Sequence, residues 1–84
     1  MGFSRQDIEQ QVIRVLSDKS AIPVDAIYPD SHLIDDLGMD SLDAAESVFE
    51  FEETYDIDIP DEEIPKLEFV RDIVTYLAGR LKAG

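Results

Sequence analysis

DDLGMDSLDAAESVFEFEETY, residues 35–55, holds the clearest helix start in the chain. Asp40 is a good N-cap, because a carboxylate there accepts from the free N–H groups of a first helical turn, and Asp43 three residues on completes a box-like start. Rotation by about 100° per residue from Ser41 brings Ala44, Val48, Phe51 and Tyr55 onto one side. The spacing therefore predicts a helix from Ser41 to about Tyr55 with that face in a core. Leu42, Ala45 and Phe49 form a second apolar stripe, and Asp43, Glu46, Glu50 and Glu53 line up beside it. A core-facing stripe is usually a little over 100° wide, so part of this apolar surface, Phe49 above all, is expected to be exposed. With no Lys or Arg near them the acids have no i,i+4 support and repel one another, so the stripe reads as a docking surface edged by carboxylates.

Upstream, Ser20 to Met39 has no helical period and is punctuated by Pro23, Pro29 and Gly38. So long a connection is expected to cross the bundle, with Ile22, Val24, Ile27, Leu33, Ile34 and Leu37 pinned to the core. Before it, Ser4 with Asp7 resembles a capping box, and Ile8, Val12, Val15 and Leu16 recur at helical spacing, predicting a helix from about Arg5 to about Lys19. Downstream, Pro60 with Asp61, Glu62 and Glu63 starts a short helical turn that Pro65 is expected to end. Val70, Ile73, Val74, Leu77 and Leu81 fit a last helix from about Glu68 to about Ala78, with Gly79 as its C-cap. The expected fold is all-α, a small three-to-four-helix bundle with a long loop between its first two helices, formed as a single domain over residues 1–84.

The chain has 84 residues, 44% of them apolar, no cysteine and one histidine. A deep catalytic cleft, a disulfide framework and a thiolate or His-rich metal site are excluded. No apolar run reaches the roughly 20 residues of a membrane span, and the N-terminus has neither signal nor transit character, so a cytoplasmic monomer is expected. Gly2 is not expected to be lipidated, because Gln6 stands where a myristoylation signal holds Ser or Thr. The formal charge is −13, and between Lys19 and Lys66 no base interrupts fifteen acids. Nucleic acid is excluded as a partner, since phosphates need Lys and Arg, while proteins with basic patches are expected.

Ser41 is the candidate chemical group. A serine nucleophile needs a base within reach and an orienting third group, but His32 is the only imidazole, stands in the loop and has no GxSxG elbow to meet. His32 is expected to be a solvated loop residue. DIDIPDEEI (56–64) fails as an EF-hand, because Pro60 and Asp61 occupy its fifth and sixth positions; loose divalent binding by clustered carboxylates is expected, with no specific metal site. What Ser41 does have is a helix N-terminus able to take a phosphate through free N–H groups, and a docking strip that begins beside it.

DLGMDSLD (36–43) and EETYDIDIPDEE (52–63) resemble the acyl carrier proteins of fatty-acid and polyketide synthesis, whose motif is D-L-G-x-D-S-L-D and whose acidic segment ends in I-P-D-E. The resemblance implies that Ser41, flanked by Asp40 and Leu42, bears 4′-phosphopantetheine, attached from coenzyme A by a magnesium-dependent phosphopantetheinyl transferase. Acyl groups would ride as thioesters on the arm's thiol, the chain being a carrier and not an enzyme. Its partners would be fatty-acid, lipid or polyketide biosynthetic enzymes with basic patches, docking on Leu42, Asp43, Ala45, Glu46, Phe49, Glu50 and Glu53. A sheltered acyl chain would be lined by Ser47, Val48, Phe51, Tyr55, Val70 and Val74. Four residues depart from the family pattern: Ser47, Glu50, Pro65 and Phe69, the last in place of a Thr cap. They suggest a specialised pathway, and Ser47 is expected to make the pocket wall roomier or wetter. The alternatives are an acidic helical adaptor whose serine is never modified, and an aminoacyl or D-alanyl carrier, which Asp43 and the acidic helix disfavour.

Overall fold

The computed structural model describes residues 3–82; Gly2, weighed above as a lipid acceptor, lies outside them. Three α-helices, α1 (Arg5–Ser20), α2 (Ser41–Tyr55) and α3 (Val70–Leu81), are joined by a loop with a 3-10 turn at Val24–Ala26 and by a 3-10 helix at Asp61–Lys66. The fold is all-α; among the described residues the only β-type pairing is a single bridge between His32 and Phe69. Helix α1 packs against both α2 and α3.

Capping fixes the starts of α1 and α2. Ser4 Oγ accepts from Asp7 N at 3.1 Å and Asp7 returns the contact to Ser4 N at 3.4 Å. At α3 the cap Phe69 has no acceptor, and the Asp72 carboxylate takes both the Phe69 N–H (3.0 Å) and the Glu68 N–H (3.2 Å). These contacts hold the orphan donors of a first turn, each worth about 1 kcal/mol. Helix α3 thus begins at Val70, two residues later than the spacing predicts.

The other end of α3 differs more. Gly79 is not the C-cap: the helix runs to Leu81, and Lys82, at φ 56°, closes it. Leu81 packs on the core, so the apolar stripe carries the helix through an exposed glycine at a cost of about 1 kcal/mol. Nor does Pro65 end the 3-10 helix, which continues to Lys66. The hydrogen bonds Glu63 N to Pro60 O (2.9 Å) and Leu67 N to Ile64 O (3.1 Å) lie on either side of the residue that lacks an N–H.

The core joins Ile8, Val12 and Leu16 of α1 to Phe51 of α2 and to Val70 and Leu77 of α3, all fully enclosed. In the long loop Ile27, Leu33 and Leu37 are buried as expected, but Val24 is 48% and Ile34 56% exposed. Met39, at 2%, takes the inward place instead. The turn at 33–38 sends Leu33 and Leu37 in, and Ile34 between them out.

Candidate functional site

Ser41 is the first residue of α2, directly after the extended N-cap Asp40. The two aspartates that flank it are tied to the backbone: Asp40 Oδ1 accepts from Asp43 N at 2.9 Å, and Asp43 Oδ2 from Asp40 N at 3.4 Å. They fix the first turn and leave the Ser41 side chain exposed. The chain arrives at this turn through Gly38, whose φ of 69° is a left-handed conformation that side chains resist. Gly38 N donates to Ile34 O at 3.0 Å and Met39 N to Leu33 O at 3.1 Å, while buried Leu37 and Met39 anchor both sides of the turn.

His32 is not a solvated loop residue. Its Nδ1 accepts from Ile34 N (3.2 Å) and Asp35 N (3.1 Å), its ring stands edge-on to Phe69 at 5.0 Å, and its backbone N–H donates to Asp36 Oδ2 at 2.6 Å. With a ring nitrogen meeting two backbone N–H groups, the imidazole is a structural knot of the loop. The loop is laced to the start of α3 by Leu33 N to Glu68 O (2.9 Å), Val70 N to Ser31 O (3.0 Å) and Arg71 N to Pro29 O (3.0 Å). Arg71 adds an ion pair to Asp30 at 2.9 Å and stacks on Phe69 at 4.4 Å. Phe69, which departs from the family's Thr, is the centre of this seam, with His32 on one side and Arg71 on the other.

Beside Ser41 lies a cleft of about 300 Å³ between the loop and the 3-10 helix. Its walls are Leu33 and Ile34 on one side, Ile64, Pro65 and Leu67 on the other, and Ala44 of α2, with His32 and Glu68 also at its edge. None of the six residues expected to line an acyl pocket borders this cleft. Ser47 (1% exposed), Phe51 (0%), Val70 (0%) and Val74 (2%) are solid core, with Val48 and Tyr55 nearly as enclosed. Ser47 in particular makes no wet wall: its Oγ donates to Asp43 O at 2.9 Å, within its own helix. The cleft residues Ile64 and Leu67 were legible only as the i, i+3 pair of a short 3-10 segment.

The second face of α2 borders a groove of about 500 Å³ shared with Ile59, Asp61 and Ile64. Ala45, Glu46, Phe49, Glu50 and Glu53 line it, Phe49 being 63% exposed; Leu42 on the same helix is 65% exposed. Not all of the acids are free. Asp43 is used in the cap, Glu52 accepts from Ile59 N at 2.9 Å, and Glu50 Oε1 lies 3.3 Å from Lys19 Nζ. The expectation that no base supports these acids is therefore corrected by a residue from α1. The hydrogen bond to Glu50 raises the Lys19 pKa against an opposing effect of desolvation, with the charges of Glu46 and Asp18 adding to the rise. Among the described residues no three His, Asp or Glu side chains converge as a metal site, and no helix is long and apolar enough to cross a membrane.

Comparison with known proteins bears on the same stretch. The family model described as "Phosphopantetheine attachment site" matches residues 10–77. An acyl carrier protein of Akkermansia muciniphila is 43% identical over 75 residues, covering 89% of this chain and 94% of the relative. Those of Rickettsia bellii, 41% identical over 84% of this chain and 83% of the relative, and of Syntrophus aciditrophicus, 34% over 87% and 91%, are similar along the same length. A helix whose first residue is an exposed serine, a capped DLGMDSLD turn and a family match across nearly the whole bundle agree: the chain belongs to the acyl carrier proteins of the phosphopantetheine-attachment family.

Proposed function

We propose that Ser41 is the attachment point of the 4′-phosphopantetheine arm and that the chain carries acyl groups as thioesters on it. The observation that carries this reading is the exposed Ser41 hydroxyl at the first position of α2, on the edge of an apolar cleft. The residues present fit the group. A phosphodiester at this point meets helix N–H groups that the Asp40 cap leaves free, and the cleft offers the cargo apolar walls. The arm supplies the thiol that a cysteine-free sequence lacks.

In attachment, the Ser41 oxygen bonds to the β-phosphorus of coenzyme A, the pyrophosphate linkage breaks, and adenosine 3′,5′-bisphosphate leaves, with the serine proton passing to a base of the transferase. The chain is a substrate in this step and not a catalyst, because Nδ1 of its sole imidazole is committed to the loop backbone. Leu42, Ala45 and Phe49 with Glu46 and Glu53 form the docking face for the transferase and for basic biosynthetic enzymes, whose complementary charge speeds encounter. The chain is read as one domain over residues 1–84, acting as a cytoplasmic monomer.

The test is an intact-mass measurement after incubation with a phosphopantetheinyl transferase, coenzyme A and magnesium. The chain gains the mass of one phosphopantetheine and Ser41→Ala gains none. A loaded Ser41→Ala variant refutes the site, and an unmodified natural chain refutes the carrier reading.

A further inference from the structure

Lys19 is the one base among the residues lining the groove along α2. It comes from the last turn of α1, and its contact with Glu50 is a single one, Nζ to Oε1 at 3.3 Å, with the two side chains 21% and 44% exposed. Of the other acids of the groove, Glu46, Glu53 and Asp61 are exposed and stand in no ion pair among the described residues, while Glu52 is taken by the Ile59 N–H. Between them Phe49 presents an open apolar face. A ligand that suits this surface is an amphipathic protein helix bearing an apolar side chain for Phe49 and cations for the rim, and at Glu50 a cation is already present.

We propose that Lys19 is a resident counter-ion of the docking groove, so that docking exchanges cations at Glu50 and favours partners that bring arginine there over partners that bring lysine. The inference rests on the docking face described under the proposed function. An incoming lysine could only reproduce the single contact that Lys19 already makes, and would gain nothing at Glu50. An arginine offers a planar fork that bonds both carboxylate oxygens and is more weakly hydrated than an ammonium, so it displaces Lys19 with a net gain. The displacement is feasible because a half-exposed ion pair contributes little to folding. The released Lys19 remains on α1, close enough to repel a second cation, which limits the groove to partners whose charges match Glu46, Glu53 and Asp61 in position.

The experiment titrates the full chain at low salt with two synthetic amphipathic helical peptides, identical except that one has arginine and the other lysine at every basic position. The proteins compared are the natural chain, Lys19→Met, Glu46→Gln and Lys82→Met, the last removing the same charge from the exposed end of α3. The arginine peptide should bind the natural chain about threefold tighter or more, in line with the worth of one exposed charge pair. Lys19→Met should tighten both peptides by about the same factor, because neither then has a resident cation to displace, whereas Lys82→Met should tighten them less. Equal binding of the two peptides to the natural chain, or a Lys19→Met variant that binds them no tighter than Lys82→Met does, overturns the inference while the docking face stands if Glu46→Gln still weakens both. If neither peptide binds, or Glu46→Gln weakens neither, the docking face itself is wrong and the inference falls with it.

Discussion

Ala44→Leu should shorten the acyl chain that the protein can shelter. Ala44 belongs to the cleft beside Ser41, whose volume is about 300 Å³. At roughly 30 Å³ per water-sized group, that is room for about ten groups, and the added isopropyl group removes about three of them. A fully buried methylene contributes about 0.8 kcal/mol; in a cleft open to solvent we take about half, so three lost methylenes amount to about 1.2 kcal/mol. For a domain of this size that corresponds to a melting temperature lower by roughly 5–10 °C. The assay is a melting series of the loaded protein with straight acyl chains of increasing length, each variant referred to its own unloaded form. The natural chain should be stabilised progressively and then reach a plateau; Ala44→Leu should reach its plateau about three carbons earlier. Ser47→Leu is the control, since Ser47 is buried on the core side and borders no part of the cleft: it should lower stability by about 1–3 kcal/mol through overpacking without moving the plateau. If Ser47→Leu moves the plateau and Ala44→Leu does not, the chain enters the core face of α2 and the cleft is not its place.

Further outcomes follow from the same geometry. Phe51→Ala, at a fully enclosed position, should cost about 3–5 kcal/mol in urea unfolding, a large share of the roughly 4–13 kcal/mol expected for a chain this long. Gly38→Ala should cost about 1–2 kcal/mol although nothing lies within 4 Å of the added Cβ, because the penalty is in its positive φ; a neutral result would show that the turn relaxes. Burial, and after it the charge of Asp7, raise the pKa of Tyr55 above the usual value. Its contribution to stability is complete below about pH 10 and is lost as the pH rises through the folded value. Ultraviolet titration of the native chain, minus that of Tyr55→Phe, should show this phenol ionising later than in the unfolded chain. Millimolar magnesium at low ionic strength should raise the melting temperature by screening the −13 charge; an indifferent melting temperature would show the carboxylates too dispersed to matter.

The helices were legible because their signals are local. Capping residues and a 3.6-residue period sit within a few positions of one another, and Ser4–Asp7, Asp40–Asp43 and the stripes of α1 and α2 needed nothing else. The reading failed where a distant contact decides. Gly79 is a fair stop signal on its own, but Leu81 has core to pack on and the helix continues through the glycine. Val24 and Ile34 are as apolar as Ile27 and Leu33, and no local feature says which of them a turn will point inward. In the 3-10 helix, Pro65 removes one donor from a segment so short that its neighbours supply the bonds that matter.

The site divides in the same way. Ser41 is set by the motif and the cap, both contiguous in sequence, but the cleft beside it is built from three separated pieces: the loop at 32–34, Ala44, and residues 64–68. Helical rotation alone points to the strongest apolar face of α2, and that face is where α1 and α3 have already filled the space. In a bundle of this size the most apolar face is the one that folding consumes, and a cargo or partner is left with the weaker stripes beside it. Ala44, small and half-buried, and Phe49, large and exposed, are what those stripes offer. The charge pattern follows the same rule: a stretch with no base between Lys19 and Lys66 reads as unopposed acid, yet the close of α1 brings Lys19 to Glu50. The Lys19→Met comparison thus measures something that the order of residues hides, the extent to which the fold has already neutralised its own docking face.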